Sequence, residues 1–314
     1  MSKKVIYNII KWLFVIAAFA YLAYKLITFD NYTEFFEQWK NAPPARFGWL
    51  IIVLLLLPVN WGLETLKWKY LVSNVQKISF SNALKGVLSG ITTGFFTPNR
   101  IGDMVGRAVY MQHDNRPAGI ALSIVNSLTQ NLIIILCGIP ACILFFFKIK
   151  SDQSTGIIWF IIIACAILIL LILVYFSLPF FSKKLKHTKL GKKLANFIGF
   201  LSTYSTHELL TIILITFCRY AVFSFQFFLM LRFFNIELTA WQALIAIPTN
   251  YLFVTITPSI AFSEAAVRAS YAVMLFSEFS SNTANLVLAG ATIWFINWVI
   301  PLLIGSVFVA KSKI

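Results

Sequence analysis

Long apolar runs dominate this chain and recur at a length that suits a membrane. A bilayer core is about 30 Å thick, so a spanning helix needs about 20 consecutive apolar residues. Runs of that order lie at 11–29, 47–66, 117–147, 156–179, 208–233 and 283–310. The pattern therefore predicts an all-α polytopic membrane protein with about six full transmembrane helices.

Two shorter apolar stretches, at 83–98 and 241–258, each end at a Thr-Pro pair. A helix with polar residues follows each stretch, at 101–112 and 262–277. Proline disfavours helix in the residue before it and breaks the helical hydrogen-bond ladder. We interpret each stretch as one arm of a re-entrant helical hairpin. Irregular backbone at membrane depth is tolerated where protein or a polar cavity surrounds it.

Composition supports a membrane protein. The 314 residues are 59% hydrophobic and 12% charged, whereas soluble domains are about half apolar and a quarter charged. The apolar segments use almost the whole chain, so we expect no soluble catalytic domain. The net charge of +15 could suggest nucleic acid, but the basic residues flank the apolar runs, so we expect no nucleic-acid partner.

The position of the charges predicts the orientation. Segments 64–116 and 180–206 and the two termini hold 18 of the 26 Lys and Arg residues, which predicts a cytoplasmic location for both termini. With six full spans, the two hairpins then enter from opposite sides. The chain is thus expected to form one transmembrane domain with inverted-repeat halves at roughly 1–150 and 151–314.

Each Thr-Pro pair is followed by the pattern acid-x-x-x-Arg-Ala-x-Tyr. The candidate substrate-binding residues are Thr97, Pro98, Arg100, Asp103, Arg107 and Tyr110 in the first copy, and Thr257, Pro258, Glu264, Arg268 and Tyr271 in the second. An acid and an arginine four residues apart face each other on a helix. A guanidinium matches phosphate through two hydrogen bonds, which favours an anionic head group as ligand. The alternative is a pair of interfacial salt bridges that orient short helices.

Polar residues inside the full spans extend the candidate site. Arg219 lies about eleven residues into the span 208–233 with no acid three or four residues away. A lone arginine at that depth needs a partner or an anionic ligand, so Arg219 is expected to face a cavity and bind substrate. Two polar stripes, Asn60 with Glu64 and Ser123 with Asn126, Ser127 and Gln130, indicate either interhelical hydrogen bonding or cavity lining.

Other residue types indicate no further chemistry. The chain has no HExxH, P-loop or GxSxG pattern, so we expect no catalytic residue, no metal ligand and no cofactor. Seven tryptophans lie near predicted span ends, Trp61 and Trp68 among them, and these are expected to anchor the membrane interfaces.

The run from Thr97 to Asp103, followed by Arg107, resembles the Thr-Pro-Gly-Arg-x-Gly-Glu…Arg motif of the lysylphosphatidylglycerol synthase transmembrane region family, the flippase-like domain. The run from Thr257 to Glu264 is similar to the second motif of that family. Asn99 stands where the family has glycine, and Asp103 stands where it has glutamate. The resemblance implies a stand-alone member without the soluble synthase domain.

This resemblance implies translocation of an anionic or modified lipid between the leaflets of a bacterial inner membrane, without enzyme activity. The alternatives are a non-transporting scaffold that presents a lipid to a partner enzyme, and a small-solute transporter. The expected partners are therefore a membrane lipid and a lipid-modifying enzyme, and no oligomeric state follows from the pattern.

Overall fold

A computed structural model describes residues 43–95, 97, 100–149, 155–185, 199–258 and 261–311, with a few isolated positions between 24 and 40. Apart from those isolated positions, the predicted span at 11–29 lies outside the described residues, and so does Pro98. Within the described ranges every regular element is helical.

The α-helices follow the apolar pattern closely. They are α1 Phe47–Val72, α2 Phe80–Phe95, α3 Ile101–Ala108, α4 Arg116–Leu144, α5 Thr155–Leu185, α6 Thr206–Phe233, α7 Ala240–Ile256, α8 Ala261–Phe276, α9 Thr283–Trp294 and α10 Ile300–Lys311. A π-helical turn, Phe295–Val299, joins α9 to α10.

Five helical segments in the described part of the chain are long and apolar enough to cross a membrane: Pro44–Val72, His113–Phe147, Ile162–Lys184, Thr206–Phe233 and Thr283–Lys311. They match five of the six predicted spans. In lipid, a helix satisfies every backbone polar group internally. Exposed side chains such as Ile169, Leu170 and Leu173 are suited to contact with lipid tails. The protein is therefore a polytopic all-α membrane protein, as predicted.

The structure divides into two compact units. Unit A comprises Pro58–Leu136, Thr155–Val222 and Trp298–Ile314, and unit B comprises Met1–Leu57, Cys137–Ser154 and Phe223–Asn297. The first Thr-Pro motif belongs to unit A and the second to unit B. The inverted-repeat halves that meet near residue 150 stay a prediction.

In unit A, α2 and α3 form a helical hairpin held together at glycines. A Cβ atom on Gly106 would lie 2.7 Å from the Ser89 carbonyl oxygen and 2.8 Å from the Gly90 Cα. The Thr93 hydroxyl donates to the Gly102 carbonyl at 2.7 Å. Small residues allow two helix backbones to approach closely, as is common in membrane proteins. The hairpin also packs on α10.

In unit B, α7 and α8 pack against each other, and α8 also packs against α9. A capping box begins α7, in which the Thr239 hydroxyl and the Gln242 side chain each accept the other's backbone N–H. At Gly290 of α9 a Cβ atom would lie 3.0 Å from the Cα of Ala269, so the small residue permits close packing. In each predicted hairpin the two helices therefore pack against each other; their re-entrant character stays a prediction.

Candidate functional site

In unit A the predicted acid–arginine pair is present on α3. The Arg107 Nε lies 3.0 Å from Asp103 Oδ2 and 3.1 Å from Oδ1. Two glycines of α2 make room for the arginine, since a Cβ on Gly90 would lie 2.9 Å from Arg107 Cγ and one on Gly86 would lie 3.0 Å from its carbonyl oxygen. The glycine-lined face of α2 therefore fixes where Arg107 lies.

Glu64 of α1 is the centre of a larger network. Its Oε1 accepts hydrogen bonds from Arg107 Nη1 and from Asn126 Nδ2, both at 2.8 Å. Its Oε2 lies 2.9 Å from Lys67 Nζ and 2.9 Å from Arg219 Nη1. The Glu64 side chain is only 2% exposed. One buried carboxylate therefore joins side chains from four helices.

Arg219 of α6 is not alone, although no acid lies near it in sequence. Besides its salt bridge to Glu64, its Nε donates to Asn60 Oδ1 at 3.0 Å and its Nη1 donates to Gln130 Oε1 at 2.8 Å. The two polar stripes therefore supply interhelical hydrogen bonds to one arginine. We name the five ionisable residues Glu64, Lys67, Asp103, Arg107 and Arg219 charge cluster A.

Tryptophans cover this cluster. The guanidinium carbon of Arg219 lies 5.1 Å from the Trp61 ring centroid, and that of Arg107 lies 5.7 Å from Trp68. Cations are attracted to the faces of aromatic rings at such distances. Trp61 is 6% exposed and Trp68 is fully buried. The prediction that these two tryptophans anchor a membrane interface was therefore wrong, because both rings pack on buried charges.

In unit B the second motif forms a smaller arrangement. Arg268 donates to Glu264 Oε1 through Nη2 at 2.7 Å and through Nε at 3.0 Å. The guanidinium carbon lies 5.9 Å from the Tyr251 ring centroid. The side chains of Arg268 and Glu264 are 17% and 8% exposed. The Arg268 side chain is therefore less deeply buried than that of Arg107, which is 6% exposed.

A comparison with known protein families matches residues 8–305 to the model of the lysylphosphatidylglycerol synthase TM region. The chain belongs to this family. A comparison with curated proteins finds no match. The family is a non-catalytic membrane region of synthase-related proteins, so membership indicates a lipid-related role for this multi-pass membrane protein.

The threonines and tyrosines of the two motifs were also predicted site residues of this lysylphosphatidylglycerol synthase TM region. Their hydroxyls form hydrogen bonds with groups other than the motif arginines. The Thr97 hydroxyl accepts the Gly102 N–H at 2.8 Å, while the Thr257 and Tyr271 hydroxyls share a hydrogen bond of 2.7 Å. The Tyr110 hydroxyl donates to the Phe308 carbonyl at 2.9 Å. Among the described residues, neither tyrosine hydroxyl forms a hydrogen bond with the arginine of its own motif.

Two residues mark the turns of the hairpins. Arg100 adopts a left-handed conformation, with φ of 57°, immediately before α3. Its guanidinium carbon lies 3.6 Å from the Trp298 ring centroid, and Trp298 contacts Trp61 edge to face. Pro258 lies in the break between α7 and α8. Arg100 therefore packs on an aromatic side chain of unit A, which the sequence pattern did not indicate.

Lys67 is the residue that sequence reasoning missed in this family member. We counted it with the cytoplasmic loop charges, yet its side chain is 0% exposed and pairs with Glu64. The spacing Glu64-x-x-Lys67 inside an apolar helix is the signal that could have identified the pair. Because Arg107 of the same segment is also buried, the bias of basic residues that predicts the orientation loses two members. No group of His, Cys, Asp and Glu in the described ranges could hold a metal ion.

Proposed function

We propose that this protein moves an anionic or modified lipid between the membrane leaflets, and that Arg107, Arg219 and Arg268 recognise the head group. Charge cluster A is the observation that carries the proposal. It places five ionisable side chains among membrane-associated helices, three of them basic and two acidic. Ionisable residues are costly at membrane depth and typically mark substrate pathways.

A purely structural role explains charge cluster A less well. Buried ion pairs contribute little net stability, since apolar replacements of similar volume are often neutral or stabilising. A salt bridge that only orients helices needs one cation for each acid, whereas Glu64 contacts Lys67, Arg107 and Arg219. A ligand that exchanges with these contacts accounts for such sharing.

Arg268 supports a second recognition point in unit B. Both of its hydrogen bonds go to one oxygen of Glu264, through Nε and Nη2. Its Nη1 has no hydrogen-bond partner in the described part of the chain, and the side chain is partly exposed. A guanidinium with unused donors can bind a phosphate oxygen without first breaking its salt bridge.

We further propose a bacterial inner-membrane location with cytoplasmic termini, and re-entrant hairpins that enter from opposite sides. Inverted repeats of this kind place broken helices where a substrate arrives from either side of the membrane. The family membership supports the lipid as substrate, and the lysine distribution supports the orientation. The family also supports an alternative, in which the protein presents a lipid to a partner enzyme and moves nothing.

The test is lipid movement in reconstituted liposomes. We expect wild-type protein to expose fluorescent phosphatidylglycerol of the inner leaflet to a membrane-impermeant quencher. Arg107→Lys and Arg268→Lys keep the charge but lose the planar fork, so both should insert normally and lose most of this activity. Arg46→Lys is the control, because Arg46 bonds to the exposed Asn235 outside both motifs.

Three outcomes separate the possibilities. Full activity of both motif variants would make the two arginines ordinary helix-orienting charges and refute the site. A wild-type protein that binds the lipid but never moves it would favour the scaffold. Movement of a water-soluble solute without any movement of lipid would favour a solute transporter.

A further inference from the structure

Arg100 holds its backbone in an unfavourable conformation. Its φ of 57° and ψ of 28° lie in the left-handed region, where among the described residues other than glycine only Asn235 joins it. Asparagine visits this region readily, whereas residues with long side chains rarely do. A residue such as Arg100 stays there only where its surroundings hold it, and such residues cluster at switch regions and ligand sites.

The Trp298 ring supplies a contact that holds Arg100. The guanidinium carbon lies 3.6 Å from the ring centroid, well inside the range of about 6 Å over which a cation is attracted to an aromatic face. Arg100 immediately precedes α3, and its side chain does not cap that helix. The side chain therefore attaches the start of α3 to a residue far away in the sequence.

Trp298 lies in an irregular part of the chain. It belongs to the π-helical turn Phe295–Val299, and such turns are rare and frequently found at functional sites. Pro301 gives a physical reason for the turn, because proline has no N–H to donate to the carbonyl four residues earlier. The boundary between unit B and unit A falls inside the same turn, between Asn297 and Trp298. The partner of Arg100 is thus placed where the helical ladder is interrupted.

The same tryptophan connects Arg100 with charge cluster A. The centroids of the Trp298 and Trp61 rings are 6.3 Å apart, and the Trp61 centroid is 5.1 Å from the guanidinium carbon of Arg219. Chains of packed side chains can carry coupling between separate places in a protein when they have two discrete arrangements. A rearrangement of the cluster can therefore reach the start of α3 through two rings.

The rest of the α2–α3 hairpin has separate contacts with α10. The Thr92 hydroxyl of α2 donates to the Leu302 carbonyl at 3.0 Å. Beyond the other end of α3, the Tyr110 hydroxyl donates to the Phe308 carbonyl at 2.9 Å. Loss of the contact between Arg100 and Trp298 would therefore leave these two attachments intact.

We propose that Arg100 and Trp298 form a conformational latch, which holds the start of α3 closed and, when released, lets that end of the helix open while the rest of the hairpin stays in place. Asp103 lies in the first turn of α3, so this opening controls access to the acid–arginine pair of the first motif. The latch does not depend on which ligand the protein handles.

The measurement is amide hydrogen exchange at Gly102 in detergent micelles. The Gly102 N–H donates to the Thr97 hydroxyl at 2.8 Å, so it exchanges when the start of α3 opens. Arg100→Gly removes the latch and also relieves the left-handed backbone, so this variant is expected to fold. The matched control is Lys77→Gly, because Lys77 is an exposed basic residue in the loop before α2.

We expect exchange at Gly102 to become about 2- to 30-fold faster in Arg100→Gly, the range implied by the loss of one cation–π contact. The rate should not change in Lys77→Gly. Trp298→Leu should accelerate exchange to the same extent, and the double variant should exchange no faster than either single variant, because both changes remove one contact. Arg100→Lys keeps the cation, so its rate should stay within about threefold of wild type.

The amide of Met111, which bonds to the Ala108 carbonyl, is the internal control for a local opening, and its exchange should not change in any variant. If Trp298→Leu fails to fold, Trp298→Phe keeps a smaller ring and should give an intermediate rate at Gly102. Unchanged exchange at Gly102 in Arg100→Gly, additive effects in the double variant, or equal acceleration at Met111 would overturn the latch. The readout contains no lipid movement, so a failed latch leaves the proposed translocation standing, and a failed translocation leaves the latch.

Discussion

The two Thr-Pro motifs share one local arrangement in two different surroundings. In unit A and in unit B alike, an acid pairs with an arginine one helical turn later. In unit A, Arg107 also bonds to Glu64, a residue far away in the sequence. In unit B, the hydrogen bonds of Arg268 go to Glu264, its own neighbour on α8. The motif therefore determines the pair, whereas residues outside the motif determine whether the pair joins a larger charge cluster.

This difference matters for how each arginine can bind a ligand. Arg107 is almost completely buried and shares its carboxylate with two other cations, so an anion at that site would rearrange several contacts. Arg268 is partly exposed and keeps donors unused. We therefore expect unit A to contribute selectivity and unit B to contribute an easily exchanged contact. The predictions below test these two roles.

The largest expected effect is all-or-none labelling of the two hairpins. In a cysteine-free background, Asp114→Cys reports on the side of the α2–α3 hairpin and Glu278→Cys on that of the α7–α8 hairpin, since both positions are exposed. The lysine bias predicts that Asp114→Cys reacts only with membrane-permeant thiol reagents and Glu278→Cys also with impermeant ones.

Lys184→Cys is the control for this labelling, because Lys184 is exposed at the end of α5 and should behave like Asp114→Cys. Labelling of both hairpin positions from one side would refute opposite entry of the two hairpins. Reversed labelling would refute the orientation.

The next effect is the cost of removing each acid that binds a motif arginine. Glu64→Gln leaves Lys67, Arg107 and Arg219 with one acid, and stranding buried charge typically costs about 3–5 kcal/mol. Glu264→Gln removes the acid that pairs with the partly exposed Arg268, so a smaller loss of about 1–3 kcal/mol is expected. The free energy of unfolding in mixed micelles measures both.

Glu237→Gln is the control for this pair of variants, because Glu237 is exposed and its removal should change stability by no more than about 0.5 kcal/mol. If Glu64→Gln and Glu264→Gln lose the same stability, the two regions do not differ in charge burial.

Sequence reasoning succeeded where the determinants are local. The bounds of α2 and α7 follow from apolar runs that end at Thr-Pro, and the two acid–arginine pairs follow from a spacing of four residues. It failed where helices distant in sequence come together. Arg219 bonds to Asn60 across 159 residues, and no spacing rule connects positions so far apart. Lys67 was misassigned because a lysine near a span end normally snorkels to the interface, and only tertiary packing shows that Glu64 holds it inside.

The next prediction compares the stability of a variant that lacks one charge of the unit B pair with that of a variant that lacks both. We expect this difference to be smaller than the loss for Glu64→Gln. Arg268→Ala removes the cation that pairs with the Glu264 carboxylate and keeps the acid, whereas the double variant Glu264→Gln/Arg268→Gln removes both charges. The single variant should therefore be less stable than the double variant, by about 1–3 kcal/mol, in the same unfolding measurement. Equal stability would mean that water already solvates the pair, and that its position is interfacial.

The smallest effect concerns the two threonines that precede the prolines. In unit A the Thr97 hydroxyl accepts the Gly102 N–H at the start of α3, so Thr97→Val leaves a backbone donor without its partner. In unit B the Thr257 hydroxyl shares its hydrogen bond with Tyr271, whose hydroxyl can rotate toward another acceptor. We expect a loss of about 1–3 kcal/mol for Thr97→Val and about 1 kcal/mol for Thr257→Val.

Thr203→Val is the control for the threonine pair, since the exposed Thr203 hydroxyl bonds only within its own turn. Its unfolding free energy should match that of wild type to within about 0.5 kcal/mol. A larger loss of unfolding free energy for Thr257→Val than for Thr97→Val would contradict the expected order of the two hairpins. The α7–α8 hairpin of unit B would then depend more on its threonine than the glycine-packed hairpin of unit A, and unit A would owe its rigidity to the close contact of α2 with α3 instead.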